Sequence, residues 1–581
     1  MRTSGNRTSR KWLIISLAAG ALLLLVAAAP ALAADGVRVI PAGSDAGMTN
    51  QGNPDVSGPF LAYIQNTIPP SDDTVICLKS LLDDAPPRQI SRPDGYKDFN
   101  PRILYEGATQ TIWVVWSRMN LTTYDTDLWL WKGTYSWDPD GNFTPADDGY
   151  PKLLVSGTTG AAAPVTSDQW EPSIGLVHEG DTDHVVVAWE DGRDNGPIAP
   201  LIYAWDLTAD TSYQDMGWAT SDGPGTAGMA LDSTPPQARG QFAPDVGYTG
   251  VYWLDDRWSF LNSDWTAMDT AVWRSDLAGS TVDPYFSDTN HTYDNGSNYG
   301  GGPAGNELGP RVTSNGAAWL RSGPYTDPDA YEPVSKAVGG SVSVFAPMAQ
   351  PDRFDTWYTP GQSATVYALM GHHANSSKAI DYDVFFYDPA THQTMPVCDT
   401  GWPPGTDPEL VPNYYTKQQA DPAIGPAYYA YRVVWTDFRD STLGVDDSLT
   451  DGRLYEAFVP MVTISSKASS LKLGKSTTIS AAVTPNFATY NVRLQLVRAT
   501  TKYGAPQYTA LRSSLSTTKA LSTRSAASWT FKPTKKGTYL VRIYFYGGAK
   551  YTYNGSAVAT GSDVAIPHIP NVSKVIRIVV K

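Results

Sequence analysis

The sequence predicts an all-β chain: a seven-bladed β-propeller over residues 34–460, followed by a β-sandwich over 461–581. Three observations carry that expectation. Short runs rich in Val, Trp and Tyr are bounded throughout by Asp, Asn, Gly and Pro, which is the pattern of strands and turns. One multi-strand unit recurs along the first 460 residues, and after Pro460 Trp and Asp almost vanish while Ser, Thr, Lys and Val rise.

The unit is clearest between Gln169 and Leu207. It opens with Gln169-Trp-Glu-Pro172-Ser-Ile174, continues in the apolar run Val185–Trp189, turns at Glu190, Asp191 and Arg193, and returns in Leu201–Trp205. The opening signature, Gln-x-x-Pro with an apolar residue two places on, recurs at Gln51, Gln241 and Gln419, with looser copies at Asp98–Ile103 and Glu307–Val312. Its prolines, at 54, 101, 172, 244, 310 and 422, lie 47, 71, 72, 66 and 112 residues apart. The last gap is too wide for one unit. It holds a degenerate copy, Thr365–Leu369 with Asp383–Asp388, which makes seven units. A unit of a few strands cannot bury its own faces, so repetition implies a stacked or radial array. Four to eight blades is the propeller range, and proline is tolerated where a strand begins. A sandwich would suit the composition but not this period.

Taken in order, residues 1–33 read as a signal peptide. Arg2, Arg7, Arg10 and Lys11 precede the apolar stretch Leu13–Ala29 and the small-x-small site Ala31-Leu32-Ala33. Export follows, to the outside or to the cell surface. A lone strand at Val37–Ile40 is expected to supply the outer strand of the last blade, closing the ring and covering its edges. The segment Ser275–Glu307, rich in Asp, Asn, Gly and Tyr, shows no strand pattern and reads as a long loop. Beyond Pro460, alternating segments at 462–464, 476–483, 492–497, 527–531, 539–546 and 575–580 suit a sandwich.

The pattern Gln-x-x-Pro…Val-Val-Trp-x-Asp-x-Arg…Asp-x-Tyr-x-Tyr-Asp resembles the TolB-like propeller repeat of secreted bacterial and archaeal surface proteins. Trp189–Arg193, Trp253–Arg257 and Trp435–Arg439 match best; the second, fifth and sixth units lack Asp-x-Arg. Lys535–Tyr546 with the two glycines after it resembles the closing strands of bacterial Ig-like domains. These resemblances imply a fold and a surface location but no particular activity.

Charge divides the chain. Residues 461–581 hold 17 Lys and Arg against the single acid Asp563, whereas 34–460 hold 22 basic and 57 acidic residues. A basic unit calls for an anionic partner such as a cell-envelope polymer or an acidic extracellular glycan, with nucleic acid ranked behind them; the alternative is that the two halves attract each other. Two Cys are very few for an exported chain. Cys77 and Cys398 are expected to stay unpaired, because a seventh blade would separate the sixth from the first and a disulfide needs Cα atoms within about 7 Å.

No zinc spacing, phosphate loop or nucleophile elbow is present, and the Ser-x-Asp-x-Gly-x-Thr-Trp box of sialidase propellers is missing. No cofactor is expected, though calcium could sit at the paired acids Asp125/Asp127, Asp381/Asp383 or Asp446/Asp447, which read first as hairpin-shaping residues. A group that recurs from blade to blade serves the blade, because a single binding site needs its groups only once. Asp191 with Arg193, Asp255 with Arg257 and Asp437 with Arg439 therefore read as structural ion pairs. Residues that break the pattern, Tyr325, His372 and His373, are the binding candidates, with no catalytic residue assigned. Two functions follow: a secreted or cell-surface binding or scaffold protein recognising a glycan or protein, or a carbohydrate-active hydrolase or lyase with acids at the propeller mouth.

Overall fold

The computed structural model describes residues 38–39, 50–66, 73–81, 87–92, 95–137, 143–147, 152–153, 168–191, 200–208, 211–213, 241–255, 271–275, 282–286, 307–322, 331–345, 351–358, 365–372, 382–391, 393–398, 419–427, 430–438, 452–484, 486–499, 517–546, 548–553, 564–569 and 571–581. Among them every regular element is a strand; the protein is all-β. No helix among them is long and apolar enough to cross a membrane. The leader expected over 1–33 lies outside the described residues.

Seven antiparallel meanders succeed one another. Their opening strands are Gln51–Ser57, Tyr96–Glu106, Gln169–Glu179, Gln241–Gly247, Glu307–Thr313, Pro351–Tyr358 and Gln419–Ala427. The third to sixth are four-stranded sheets in simple sequence order. The first and second are joined by one parallel pair, Thr74 with Lys97. Two corrections to the sequence reading stand out. The sixth sheet has its own opening strand, hidden because Phe354 stands where the others carry proline. Within the supposed loop Ser275–Glu307, Val282–Phe286 pairs with Ala271–Ser275 as a fourth strand. Its central Asp283-Pro284 masks the pattern, and an edge strand tolerates that proline.

Every opening strand except the sixth carries the same irregularity. Register with the second strand slips between Gly52 and Asp55, Phe99 and Arg102, Trp170 and Ser173, Phe242 and Asp245, Leu308 and Arg311, and Ala420 and Ala423. At each slip the residue before the proline has positive φ: Asn53, Asn100, Glu171, Ala243, Gly309 and Asp421, between 46° and 51°. The Gln-x-x-Pro signature is thus a β-bulge with a left-handed residue. The glutamine itself is buried and spans sheets: Gln241 Oε1 accepts from Ile202 N–H (2.9 Å), Gln419 Oε1 from Val384 N–H (3.2 Å), and Gln51 Oε1 from Leu454 N–H of the seventh sheet (3.2 Å).

The second strands read as near-continuous apolar runs because both their faces are covered. In Thr182–Asp191, Val185, Val187 and Trp189 pack with Leu104, Trp113 and Val115 of the second sheet. The alternate residues Val186 and Ala188 pack with Val251 and Trp253 of the fourth. Equivalent apolar layers join sheets one and two, four and five, five and six, and six and seven. One more joins the seventh to the first, with Ala423, Val434 and Leu454 against Val56, Leu61 and Tyr63. Trp116, Trp253, Trp319 and Trp435, one from each of four second strands, are fully buried.

At the N-terminus, Arg38–Val39 pairs antiparallel with Glu456 and Tyr455, so the expected closing strand lies on the third strand of the seventh sheet. That third strand, Arg453–Ser466, runs unbroken through Pro460 and goes on to pair with Thr477–Thr484. The C-terminal part, from about residue 461, forms two sheets over one core that includes Ile464, Ile479, Trp529, Val541 and Phe545. It also reaches back. His568 pairs in parallel with Phe458, Ile569 is buried beside Trp435 and Tyr455, and Asn571 Nδ2 donates to Pro460 O (2.7 Å).

Candidate functional site

The opening strands lie side by side, and the residue after each proline points into the space they enclose. In order these are Asp55, Arg102, Ser173, Asp245, Arg311, Asp355 (after Phe354) and Ala423. They are knitted together in one repeating way: the side chain at this position accepts the backbone N–H of the following position on the next sheet. Ile103 N–H donates to Asp55 Oδ2 (2.7 Å), Val246 N–H to Ser173 Oγ (3.0 Å), Val312 N–H to Asp245 Oδ2 (2.5 Å) and Ile424 N–H to Asp355 Oδ2 (2.9 Å). Ser173 also donates to Asp245 Oδ1 (3.1 Å). Arg102 stands 4.0 Å from Asp55 and Arg311 3.9 Å from Asp355.

Burial governs the electrostatics of this ring. It raises Asp55 above the usual carboxylate range, with Arg102 opposing. It raises Asp355 to about 7, helped by the negative charge of Asp55 and opposed by Arg311. For Arg102, burial is outweighed by Asp55, Asp245 and Asp355, so its proton is held more tightly than usual. Three acidic side chains and two guanidiniums thus share one space, in which the arginines offset part of the burial cost of the acids, while the side chains of Asp55 and Asp355 keep 15% and 17% exposure. Beyond one end of the ring, Tyr358 Oη accepts from Tyr248 N–H across the enclosed space (3.2 Å).

At the other end sit the left-handed residues, and their side chains form a polar rim. Asn53 Nδ2 donates to Asn100 Oδ1 (3.5 Å), Asn100 Nδ2 donates to Glu171 Oε1 (2.7 Å), and Arg353 pairs with Asp421. Next to the rim, Glu190 is buried at 4% exposure and accepts from Ala243 N–H (2.7 Å). Burial lifts its carboxyl to about 8, with the neighbouring Glu171 pushing the same way. The raised Glu190 carboxyl thus stands near the exposed Glu171 side chain.

The sequence-predicted residues fall differently. Tyr325 and His373 lie outside the described residues, and His372 is the last residue of its strand, paired through the backbone with Tyr382. Arg193, Arg257 and Arg439 also lie outside them, while Asp255 ends its strand opposite Gln241. Asp191 and Asp437 accept the indole N–H of the tryptophan two residues earlier (2.9 and 3.0 Å), a partner the sequence reading did not name. Cys77 is buried, and its Sγ donates to Gln65 Oε1 (3.3 Å). Among the described residues no cluster of three His, Cys, Asp or Glu side chains could hold a metal ion. The ring and the rim were missed because they occupy the two positions flanking the proline, where the residue changes from unit to unit. That variability was itself the available signal.

No family model and no curated protein matches the chain. Among solved structures it is similar to a Mycobacterium tuberculosis puromycin-hydrolyzing peptidase, with 12% identity, a TM-score of 0.34, and 78% of this chain and 62% of that one covered. An N-acetylgalactosamine deacetylase from F. plautii gives 11% identity and a TM-score of 0.26, covering 73% and 96%. An exo-1,5-alpha-L-arabinanase from a bovine ruminal metagenomic library gives 11% and 0.25, covering 61% and 99%. All three are hydrolytic enzymes. At these scores the likeness carries no argument about activity, and the chain spans 62% of the peptidase's length.

Proposed function

We propose that the chain is an exported cell-surface recognition protein. Its seven sheets form a closed propeller of the TolB-like kind, its C-terminal part (461–581) is an Ig-like sandwich, and its polar mouth binds an extracellular glycan or protein. The observation that supports the propeller is the apolar layer between every neighbouring pair of sheets, the seventh and first included. The observation that supports recognition at the mouth is the use already made of the interior: each carboxylate of the ring holds a neighbouring strand. The rim of Asn53, Asn100, Glu171, Arg353 and Asp421 is what a ligand would meet. The basic C-terminal part then serves attachment to an anionic envelope polymer.

One observation favours a second reading, a glycoside hydrolase or lyase. Burial pushes the Glu190 carboxyl up to about 8 with the Glu171 side chain nearby, and a carboxyl raised to act as an acid next to a second carboxyl is what glycoside hydrolysis requires. Incubating the full chain with a panel of polysaccharides, scoring both retention and release of reducing ends, separates the two. Retention without turnover, lost in Asn100→Ala and Glu171→Gln, fits recognition. Turnover abolished by Glu190→Gln would replace that reading with the enzymatic one.

A further inference from the structure

At the far end of the opening strands from the rim, the hairpins of sheets three, four and five enclose a cleft of about 450 Å³, within the size range of small-ligand sites. Glu171 and Glu179 stand at opposite ends of one strand, roughly 25 Å apart at about 3.3 Å per residue, so this cleft and the mouth are different places. One wall is aromatic. His178 and Tyr248 stack with ring centroids 4.7 Å apart and planes 10° from parallel, and His178 N–H donates to Tyr248 O (3.0 Å). The imidazole is oriented by Asp183, whose Oδ1 lies 2.7 Å from Nδ1; with Nδ1 so engaged, Nε2 is the acceptor of the neutral ring, and His178 lines the cleft. Arg274 is fixed as well. Its Nε and Nη2 both donate to Thr249 O (2.9 and 2.6 Å), and Nη1 carries no bond among the described residues. The exposed Asn315 adds an amide, and Glu179 an acceptor, to the same lining.

We propose that this cleft is a second binding site, taking an acidic sugar of the uronic type. The guanidinium and the Asn315 amide suit a carboxylate, since a pinned arginine presents its donors in fixed geometry at little cost in side-chain freedom. The Tyr248 face suits the C–H side of a sugar ring, while His178 Nε2 and Glu179 accept from ring hydroxyls. A bare anion would leave both acceptors and the aromatic wall unused, and a neutral sugar would leave the guanidinium unused.

Calorimetric titration of the full chain tests this with tri-galacturonic acid, a neutral galactose trisaccharide and inorganic phosphate. The expected result is saturable binding of the uronate, at least tenfold weaker binding of the neutral sugar, and no competition by equimolar phosphate. Arg274→Lys and Asn315→Ala should each weaken uronate binding, Asn315→Ala with an unchanged melting curve, and Glu171→Gln at the rim should leave it intact. Equal affinity for the neutral sugar, full competition by phosphate, loss of binding in Glu171→Gln instead, or no effect of Asn315→Ala would each overturn the proposal. Failure here leaves the mouth reading standing, because the rim variants report on that site alone.

Discussion

Three places after the proline, the third, fourth and seventh units carry Gly175, Gly247 and Gly425 where neighbouring opening strands come closest. A Cβ on Gly175 would run into the carbonyl oxygen of Val246, and one on Gly425 into Val56. Gly175→Ala should therefore destabilise the protein by about 1–3 kcal/mol, the usual cost of overpacking, read as a lower denaturant midpoint. Ala243 is the opposite case, a residue with a side chain held at φ 50°. Ala243→Gly should raise stability by about 1 kcal/mol, since the left-handed region penalises L-residues by roughly that amount; an unchanged midpoint would mean that the bulge is not strained there. The sequence announced these positions only in part. Proline and glutamine were legible because they repeat, whereas the left-handed residue between them takes five identities across the six bulges and follows no side-chain rule.

At the scale of the element, buried glutamines tie the fourth sheet to the third and the seventh to the sixth, and Gln51 ties the first to the last. Gln51→Ala leaves the Leu454 N–H unpaired, which should cost about 1–3 kcal/mol and loosen the junction first. Hydrogen exchange at Leu454 should accelerate well before exchange at Val187 in the third sheet; uniform acceleration would argue against a local seam. Strands buried on both faces, such as Val185–Trp189, were legible as apolar runs. The outer strands were not. Val282–Phe286 and Gln393–Cys398 each carry a proline, and an edge strand has too few neighbours to impose a pattern on its sequence.

For the whole molecule, the ring and the rim set a pH dependence. Asp355 and Glu190 titrate in the folded protein at about 7 and about 8, above their ordinary values of 3.8 and 4.5, and Asp55 moves the same way. The folded state thus binds more protons than the unfolded chain between about pH 4 and pH 8, so stability must fall as pH rises through that window. Melting temperature should be higher at pH 5.5 than at pH 8, and Asp355→Asn should flatten the slope. A slope of opposite sign would show that the arginines, not burial, control the ring. Charge makes a second prediction. Lys472, Lys475, Lys532, Lys535 and Lys536 are all exposed, so sedimentation of the full chain with anionic wall polymer should be strong at low salt. It should disappear near 1 M, where the Debye length is about 3 Å, and in the five-fold Lys→Glu variant. Retention by that variant would move attachment elsewhere.

The strand Arg453–Ser466 has a mechanical consequence. A flexible linker would let the two halves swing, but an unbroken strand with ladders on either side of Pro460 transmits pull along its own axis. If the basic half is held to a surface while a bound polymer drags on the mouth, the load enters the seventh sheet in shear. Its ladders to Ala430–Asp437 and Arg38–Val39, and the contact at His568, must then fail together rather than one bond at a time. In a force-spectroscopy pull from the two termini the last sheet should yield in a single high-force event, and deleting residues 34–40 should lower that force.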